Sequence, residues 1–162
     1  MNEWITLFHS FFARWKNFYD YEPYLREHLI KYKPKNILEF GTGKSTKIMK
    51  ECCPDAEIIS FENSRKWYWR WKFSLWGVNT RLAKGEEYTN PILMDGSFDF
   101  IFVDGIERTK CMKSSLRLLK DDEFLMLHDC NDYDIPKGYR IIYKKENTAL
   151  MQKAIRRGEF KF

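Results

Sequence analysis

Short, largely apolar runs alternate along the chain with segments whose apolar residues recur at helical spacing. Runs of four to six such residues are typical of strands buried on both faces of a parallel sheet. The order of these elements predicts an α/β fold with a mainly parallel sheet of about six or seven strands. The clearest runs span 37–40, 58–61, 98–103 and 124–127, and weaker ones lie near 79–83 and 138–143.

The ends of the chain have a different pattern. Aromatic residues at i, i+3 and i+4 spacing predict an amphipathic helix from Asn2 to about position 19, and a second short helix follows over 24–31. We therefore expect an N-terminal helical segment over residues 1–33 and an α/β core over 35–145. Nothing in the sequence divides it, so one domain over 1–162 is expected. The pattern leaves the C-terminal residues open between a short helix and a last antiparallel strand.

Composition narrows the class of protein. The chain has 162 residues, 44% hydrophobic and 17% aromatic, which excludes disorder, and it has no run of about 18 apolar residues to span a bilayer. The net charge of +5 is compatible with an anionic partner without indicating nucleic acid. No secretory signal is visible, and the cysteines lack the spacing of a zinc or redox motif. A cytoplasmic location is expected. The four cysteines are Cys52, Cys53, Cys111 and Cys130.

The turn Gly41-Thr42-Gly43 joins the first predicted strand to a helix. Two glycines at such a turn let a ligand lie against the backbone at the helix N-terminus. A phosphate-binding P-loop would need a glycine at position 38, which is Leu38, and the dinucleotide fingerprint would need one at position 46, which is Thr46. The remaining pattern is Glu39 at the strand end, the two glycines and then Ser45.

Three further strands also end in polar residues. Glu62 ends the second predicted strand, Asp104 ends the strand over 98–103, and His128-Asp129 ends the strand over 123–127. Right-handed crossovers place the carboxyl ends of parallel strands along one edge of the sheet. Ligands of open α/β sheets bind at that edge. We therefore expect these side chains and the glycine turn to share one cleft.

These motifs, in this order, resemble those of the class I S-adenosylmethionine-dependent methyltransferases. The glycine turn resembles the family's first motif, Glu62 its second, and Phe-Asp-x-Ile-x-x-Asp-Gly over 98–105 its fourth strand. The resemblance covers about 35–145 and is nearest to small enzymes with Val-Asp-Gly and His-Asp strand ends. It implies a three-layer Rossmann-like sandwich and S-adenosylmethionine as cofactor. The implied cofactor-binding residues are Glu39, Gly41, Thr42, Gly43, Ser45, Glu62 and Asp104.

Two schemes of catalysis remain open for Asp104, His128 and Asp129. In the first, His128 or Asp129 is the general base for an acceptor hydroxyl, because imidazole titrates near neutral pH. In the second, Asp104 and Asp129 hold Mg²⁺ or another divalent cation, which lowers the pKa of the bound acceptor oxygen. The second scheme resembles the catechol-type O-methyltransferases, which have an adjacent Asn ligand. Here Cys130 follows, so Asn131 or Asp132 would have to substitute.

The leading hypothesis is O-methylation of a small-molecule, sugar or glycan hydroxyl. One alternative is a kinase-like use of Lys44 and Ser45, and another is a non-catalytic module that retains a cofactor pocket. Nucleic acid is not expected as the acceptor, because 104–107 reads Asp-Gly-Ile-Glu and not the Asn-Pro-Pro-Tyr type of motif found in amino-methylating enzymes.

A predicted helix over 65–75 has more aromatic residues than one buried face can hold. Trp67, Trp71 and Leu75 share one face at i, i+4 and i+8, as expected for packing against a sheet. The others could contact the N-terminal helices, a second subunit, a glycan or a membrane surface. A homo-oligomer formed through aromatic helices is one expectation. The remaining aromatic residues are Tyr68, Trp69, Phe73 and Trp76.

Overall fold

The computed structural model describes residues 20–154 of the chain. Seven strands and five helices make up this part, together with a 3-10 turn at Cys130–Asp132. The strands are β1 (Asn36–Phe40), β2 (Glu57–Glu62), β3 (Asn79–Leu82), β4 (Phe98–Val103), β5 (Leu119–His128), β6 (Tyr139–Lys145) and β7 (Thr148–Lys153). The helices are α1 (Glu22–Tyr32), α2 (Lys44–Cys52), α3 (Arg65–Lys72), α4 (Glu86–Thr89) and α5 (Arg108–Leu118).

All seven strands form one sheet in the order β3-β2-β1-β4-β5-β7-β6. Strands β1 to β5 pair in parallel, whereas β7 pairs antiparallel with both β5 and β6. The strand order reverses between β1 and β4. From β1, the chain adds β2 and β3 toward one edge of the sheet, and it then returns to add β4 and β5 on the other side of β1. Ligand crevices of open α/β sheets lie at such a switch point.

Apolar side chains cover both faces of the central strands. On one face, Leu38 and Ile101 pack with residues of α5 such as Met112, and on the other, Ile37 and Phe102 pack with residues of α1 and α2. Because each central strand buries both faces, its sequence reads as a nearly continuous apolar run. This is why the strands could be located from the sequence.

The predicted fold class is confirmed: the sheet is mostly parallel, has seven strands and carries helices on both faces. The weak pattern near 79–83 is a short strand at the sheet edge, and the open C-terminal segment forms the antiparallel strand β7. The second predicted helix is α1, which begins at Glu22, while the helix predicted from Asn2 lies outside the described residues. No helix within 20–154 is both long and apolar enough to cross a membrane.

Candidate active site

A cleft of about 440 Å³ lies at the carboxyl ends of β1, β2, β4 and β5. Eight of the residues predicted from the sequence line it, so the expectation of one shared cleft is confirmed. Glu39 and Asn131 are not among its lining residues. The predicted lining residues are Gly41, Thr42, Gly43, Ser45, Glu62, Asp104, His128 and Asp129, and the others are Tyr21, Lys44, Trp67, Gly105, Ile106 and Arg108.

The two glycines of the turn have different roles. Gly41 has φ +108°, and a Cβ there would lie 2.7 Å from the backbone nitrogen of Gly105 in the turn after β4. Gly41 is therefore required because two backbones meet. Gly43 has an extended φ of −179°, and a Cβ there would contact only Trp67 Nε1, at 3.6 Å. Its missing side chain leaves room in the cleft.

Glu39 lies beneath the glycine turn and is fully buried. Its carboxylate accepts hydrogen bonds from Ser45 Oγ at 2.5 Å, Thr46 Oγ1 at 2.5 Å and Ser60 Oγ at 2.6 Å. Burial raises the pKa of Glu39 to about 7, although these hydroxyls lower it in part. The expectation that Glu39 binds the cofactor is corrected, because its oxygens fix the start of α2 to β1 and β2 and do not reach the cleft.

Glu62 ends β2 and lines the cleft with a largely buried carboxyl group. Burial raises its pKa, and hydrogen bonds from the backbone N–H groups of Ser64, Asn63 and Thr42 partly offset that effect. The Ser64 N–H donates to Oε1 at 2.7 Å. These bonds fix the side chain where a hydroxyl group in the cleft could donate to it.

Trp67 is a lining residue that was assigned only to packing from the sequence. Its indole Nε1 donates to the backbone oxygen of Thr42 at 2.5 Å, and its backbone N–H donates to Ser64 Oγ, the cap of α3, at 3.3 Å. Helix α3 is thereby joined to the glycine turn. The spacing of Trp67, Trp71 and Leu75 indicated a buried face but could not show that one ring reaches the cleft.

His128 lies among carboxylates at the end of β5. Its Nδ1 is 2.7 Å from Asp104 Oδ1, and its Nε2 is 2.8 Å from Asp20 Oδ1 and 3.5 Å from Asp129 Oδ1. Burial lowers the pKa of His128, but the hydrogen bond to Asp104 and the three negative charges outweigh burial and raise it overall. An imidazolium that donates through both nitrogens fits this arrangement. Both ring nitrogens of His128 are thus engaged by carboxylates, and its role as a general base stays a prediction.

Arg108, which sequence reasoning missed, joins the acidic side chains of this cluster. It is 8% exposed, and its Nη1 lies 2.7 Å from Asp129 Oδ2 while its Nη2 lies 3.3 Å from Asp104 Oδ1. Its Nη1 also donates to the backbone oxygen of His128 at 2.5 Å, and its Nε donates to that of Gly105 at 2.8 Å. The available signal was its position four residues after Asp104 at the start of a helix.

The cluster does not fit the divalent cation considered from the sequence. One ligand atom each from Asp104, His128 and Asp129 lies within 4.8 Å of the others, which is close enough for a shared ion. However, the guanidinium of Arg108 already lies 2.7 Å from Asp129 Oδ2 and 3.3 Å from Asp104 Oδ1, in the place that a cation would take. Asn131 is exposed, and its side-chain amide donates to the backbone oxygen of Glu146 at 3.2 Å. The predicted metal set is therefore corrected at Asn131, whereas Asp104 and Asp129 do come together, but around the guanidinium of Arg108.

A second cleft, of about 860 Å³, adjoins the first at Ile106. It extends past Asn63, Gly85 and Tyr88 and along α5 as far as Arg117. Ile106 is 50% exposed and lines both clefts. Gly85 and Glu86 of the segment after β3 belong to its lining.

Lys44 directly follows the glycine turn and lines the first cleft. Its Nζ lies 2.5 Å from Glu22 Oε2 of α1. The kinase-like alternative would need the Lys44 ammonium group to bind a phosphate. Its ion pair with Glu22 of α1 gives that alternative no support.

Comparison with known proteins identifies the fold. No protein-family model and no curated protein matches the sequence. Solved structures do match. A protein from Staphylococcus aureus, provisionally named as a caffeoyl-CoA O-methyltransferase, is similar with a TM-score of 0.64 and 17% identity over 94% of this chain and 93% of that one.

Two further structures agree. A methyltransferase from Geobacter sulfurreducens has a TM-score of 0.64 and 10% identity, over 96% of this chain and 92% of its own. A SAM-dependent methyltransferase from Aquifex aeolicus has a TM-score of 0.52 and 17% identity, over 80% and 89%. The chain therefore has the class I methyltransferase fold, as the motifs implied.

Proposed function

We propose that this protein binds S-adenosylmethionine in the 440 Å³ cleft and catalyses methyl transfer to an oxygen atom of a small acceptor. The observation that carries the proposal is the convergence of the glycine turn, Glu62 and the cluster around Asp104 in one cleft of a methyltransferase fold. The fold alone would not assign a function, because functions are carried by sites. The groups that line this cleft are those that we expect a sulfonium nucleoside to need, and this supports the proposal.

The lining residues divide the cleft into parts. The backbone of Gly41-Thr42-Gly43 and the hydrogen-bonded start of α2 would support the methionine portion, with room left by Gly43. Glu62 would accept hydrogen bonds from the ribose hydroxyls. The exposed side chain of Ile106, between the two clefts, would provide an apolar contact for the adenine ring. When bound, S-adenosylmethionine supplies an electrophilic methyl group.

The acidic cluster would prepare the acceptor. Methyl transfer is an in-line displacement, so its rate depends on holding an oxygen lone pair toward the methyl group. Asp129 lines the cleft and is the most exposed of the charged side chains in the cluster. We assign it to accept the proton of the acceptor hydroxyl. Arg108 and His128 act as positioning residues that fix Asp104 and Asp129.

The acceptor class is the finer part of the proposal. A small-molecule or sugar hydroxyl fits a cleft whose reacting end carries carboxylates that accept hydrogen bonds. Similarity to a protein provisionally named as an O-methyltransferase supports oxygen as the acceptor atom. A cytoplasmic location is proposed on the four cysteines, all of which are free.

Calorimetric titration with S-adenosylmethionine and its demethylated product tests the cofactor assignment. Glu62→Gln should weaken binding by roughly tenfold, because an uncharged amide is a weaker acceptor for two hydroxyl groups. Glu57→Gln is the matched control, since Glu57 is exposed at the opposite end of the same strand and should leave binding unchanged. Absence of binding at millimolar cofactor would refute the proposal.

Transfer is tested separately with methyl-labelled cofactor and a panel of phenols, sugars and glycans. Labelled product should form with an oxygen acceptor and decrease on Asp129→Asn. Binding of cofactor without labelling of any acceptor would instead support the alternative of a non-catalytic module.

A further inference from the structure

The outer face of α3 and the turn after it exposes three large aromatic side chains. Trp69 is 50% exposed, Phe73 75% and Trp76 88%. Trp69 and Phe73 are four residues apart on the helix surface, and their rings stack with centroids 6.0 Å apart. An adjoining set of exposed apolar side chains marks an interaction site more often than isolated ones do. We call these three side chains the aromatic face.

The charged residues of α3 and of the segments next to it in sequence are all basic. Arg65, Lys66 and Arg70 of α3 are exposed, and none of them forms an ion pair with another residue of the described 20–154. Arg65 lies one helical turn before Trp69, so charge and ring share one side of the helix. Residues 63–84 contain no Asp or Glu, and their basic residues are Arg65, Lys66, Arg70, Lys72, Arg81 and Lys84.

The position of α3 at the edge of the sheet favours a partner with an extended surface. Helix α3 lies beside β3, the strand at one edge of the sheet, where Lys72 Nζ donates to Thr80 Oγ1 at 3.2 Å. The other side of α3 presents Trp67 to the glycine turn, so the helix position is fixed from within. The aromatic face thus belongs to a helix whose other side is tied to the glycine turn. No side chain of α3 is buried, which is unusual for a helix in an α/β fold.

We propose that the aromatic face and its basic residues bind the surface of an anionic lipid bilayer. Tryptophan and phenylalanine beside Lys and Arg are the side chains that insert at the boundary between headgroups and acyl chains, while the cations attract acidic lipids. Charge complementarity favours this occupant over a second copy of the chain, because two such surfaces would repel each other. The proposal is independent of the methyltransferase assignment and concerns a different face of α3.

Co-sedimentation with vesicles tests the proposal. The full chain should bind vesicles of phosphatidylcholine mixed with phosphatidylglycerol and bind poorly to phosphatidylcholine alone, and high salt should weaken binding. The triple variant Trp69→Ser, Phe73→Ser, Trp76→Ser should lose roughly tenfold or more in affinity, because less apolar surface inserts. Replacing Arg65 and Lys66 by Gln should lose about fivefold for each charge.

Matched controls distinguish binding through this surface from nonspecific binding through other exposed apolar side chains. Ile92 and Met94 are also exposed, at 100% and 76%, but lie beside Asp95 before β4. The double variant Ile92→Ser, Met94→Ser should bind vesicles like the wild type. Cofactor titration of the triple variant verifies that the cleft is intact, so failure of this proposal is distinguishable from failure of the function proposed above.

Three results would overturn the proposal. These are equal binding to neutral and anionic vesicles, no binding of the wild type, and unchanged binding of the triple variant. Sedimentation velocity adds a direct test of the second-copy alternative. A wild-type dimer that the triple variant converts to a monomer, without vesicle binding, would assign the aromatic face to self-association.

Discussion

At the scale of single residues, the carboxyl group of Glu39 shows how an acidic strand end can serve the fold. It is fully buried and accepts three hydroxyl hydrogen bonds, from two residues of α2 and one of β2. A carboxyl group in such a place costs desolvation when ionised, which is why its pKa rises to about 7. Ionisation of Glu39 is therefore coupled to the stability of the fold around the glycine turn.

The consequence can be measured as stability against pH. The pKa of Glu39 is higher in the folded state than its ordinary value of 4.5, so its contribution is fully present below pH 4.5 and is lost as the pH rises through about 7. A rise of this size corresponds to about 3 kcal/mol at most. In Glu39→Gln, this component of the decrease in unfolding free energy between pH 5 and pH 8 should vanish.

Denaturant unfolding at both pH values measures the effect, because the difference between variant and wild type cancels the other titrating groups. Glu57→Gln, an exposed change on the same strand, should leave the pH dependence as it is in the wild type. The assignment fails if Glu39→Gln and the wild type lose the same free energy between pH 5 and pH 8.

At the scale of elements, the turns after β1 and β4 are in direct backbone contact. Gly41 adopts φ +108° against Gly105, and a Cβ on Gly105 would collide with the hydroxyl group of Tyr88. The carboxyl ends of two adjacent strands can approach this closely only where side chains are missing. The turn thus needs glycine at position 41 to fold, whereas glycine at position 43 leaves open space in the cleft.

The two glycines should separate stability from binding. Gly41→Ala should lower the free energy of unfolding by roughly 2 to 5 kcal/mol, because it combines backbone strain with overpacking. Gly43→Ala should cost less than about 1 kcal/mol, since its backbone is extended and its Cβ makes an ordinary contact. It should nevertheless weaken cofactor binding, because the methyl group enters the cleft.

Thermal unfolding and calorimetric titration of both variants measure the two effects. Equal losses of stability would show that position 43, like position 41, serves the fold. A normal cofactor affinity for Gly43→Ala would place the ligand away from the turn.

At the scale of the whole molecule, the sequence predicted those residue positions that the order of strands in the sheet determines. Apolar runs located the strands, and the rule for right-handed crossovers then brought Glu62, Asp104 and Asp129 to one edge without any knowledge of side-chain contacts. The contacts themselves depend on side-chain direction. Asp20 and His128 are 108 residues apart in sequence, and no periodicity could pair them. Arg108 was missed for the same reason, although it contacts two of the carboxylates in the cluster.

Arg108, at the start of α5, forms ion pairs with Asp104 after β4 and with Asp129 after β5. Its guanidinium therefore joins three elements in the way that a bound cation would. Arg108→Gln should lower the free energy of unfolding by roughly 3 to 5 kcal/mol, because two carboxylates lose their counter-charge. The same change frees oxygen ligands of the type that Mg²⁺ prefers. Mg²⁺ should therefore raise the thermal midpoint of the variant and leave that of the wild type unchanged.

Arg117→Gln, which removes a more exposed ion pair to Asp95, is the control and should show no response to Mg²⁺. Stabilisation of the wild type by Mg²⁺, removed by a chelator and abolished by Asp129→Asn, would instead show that a divalent cation displaces the guanidinium and would restore the metal-dependent scheme.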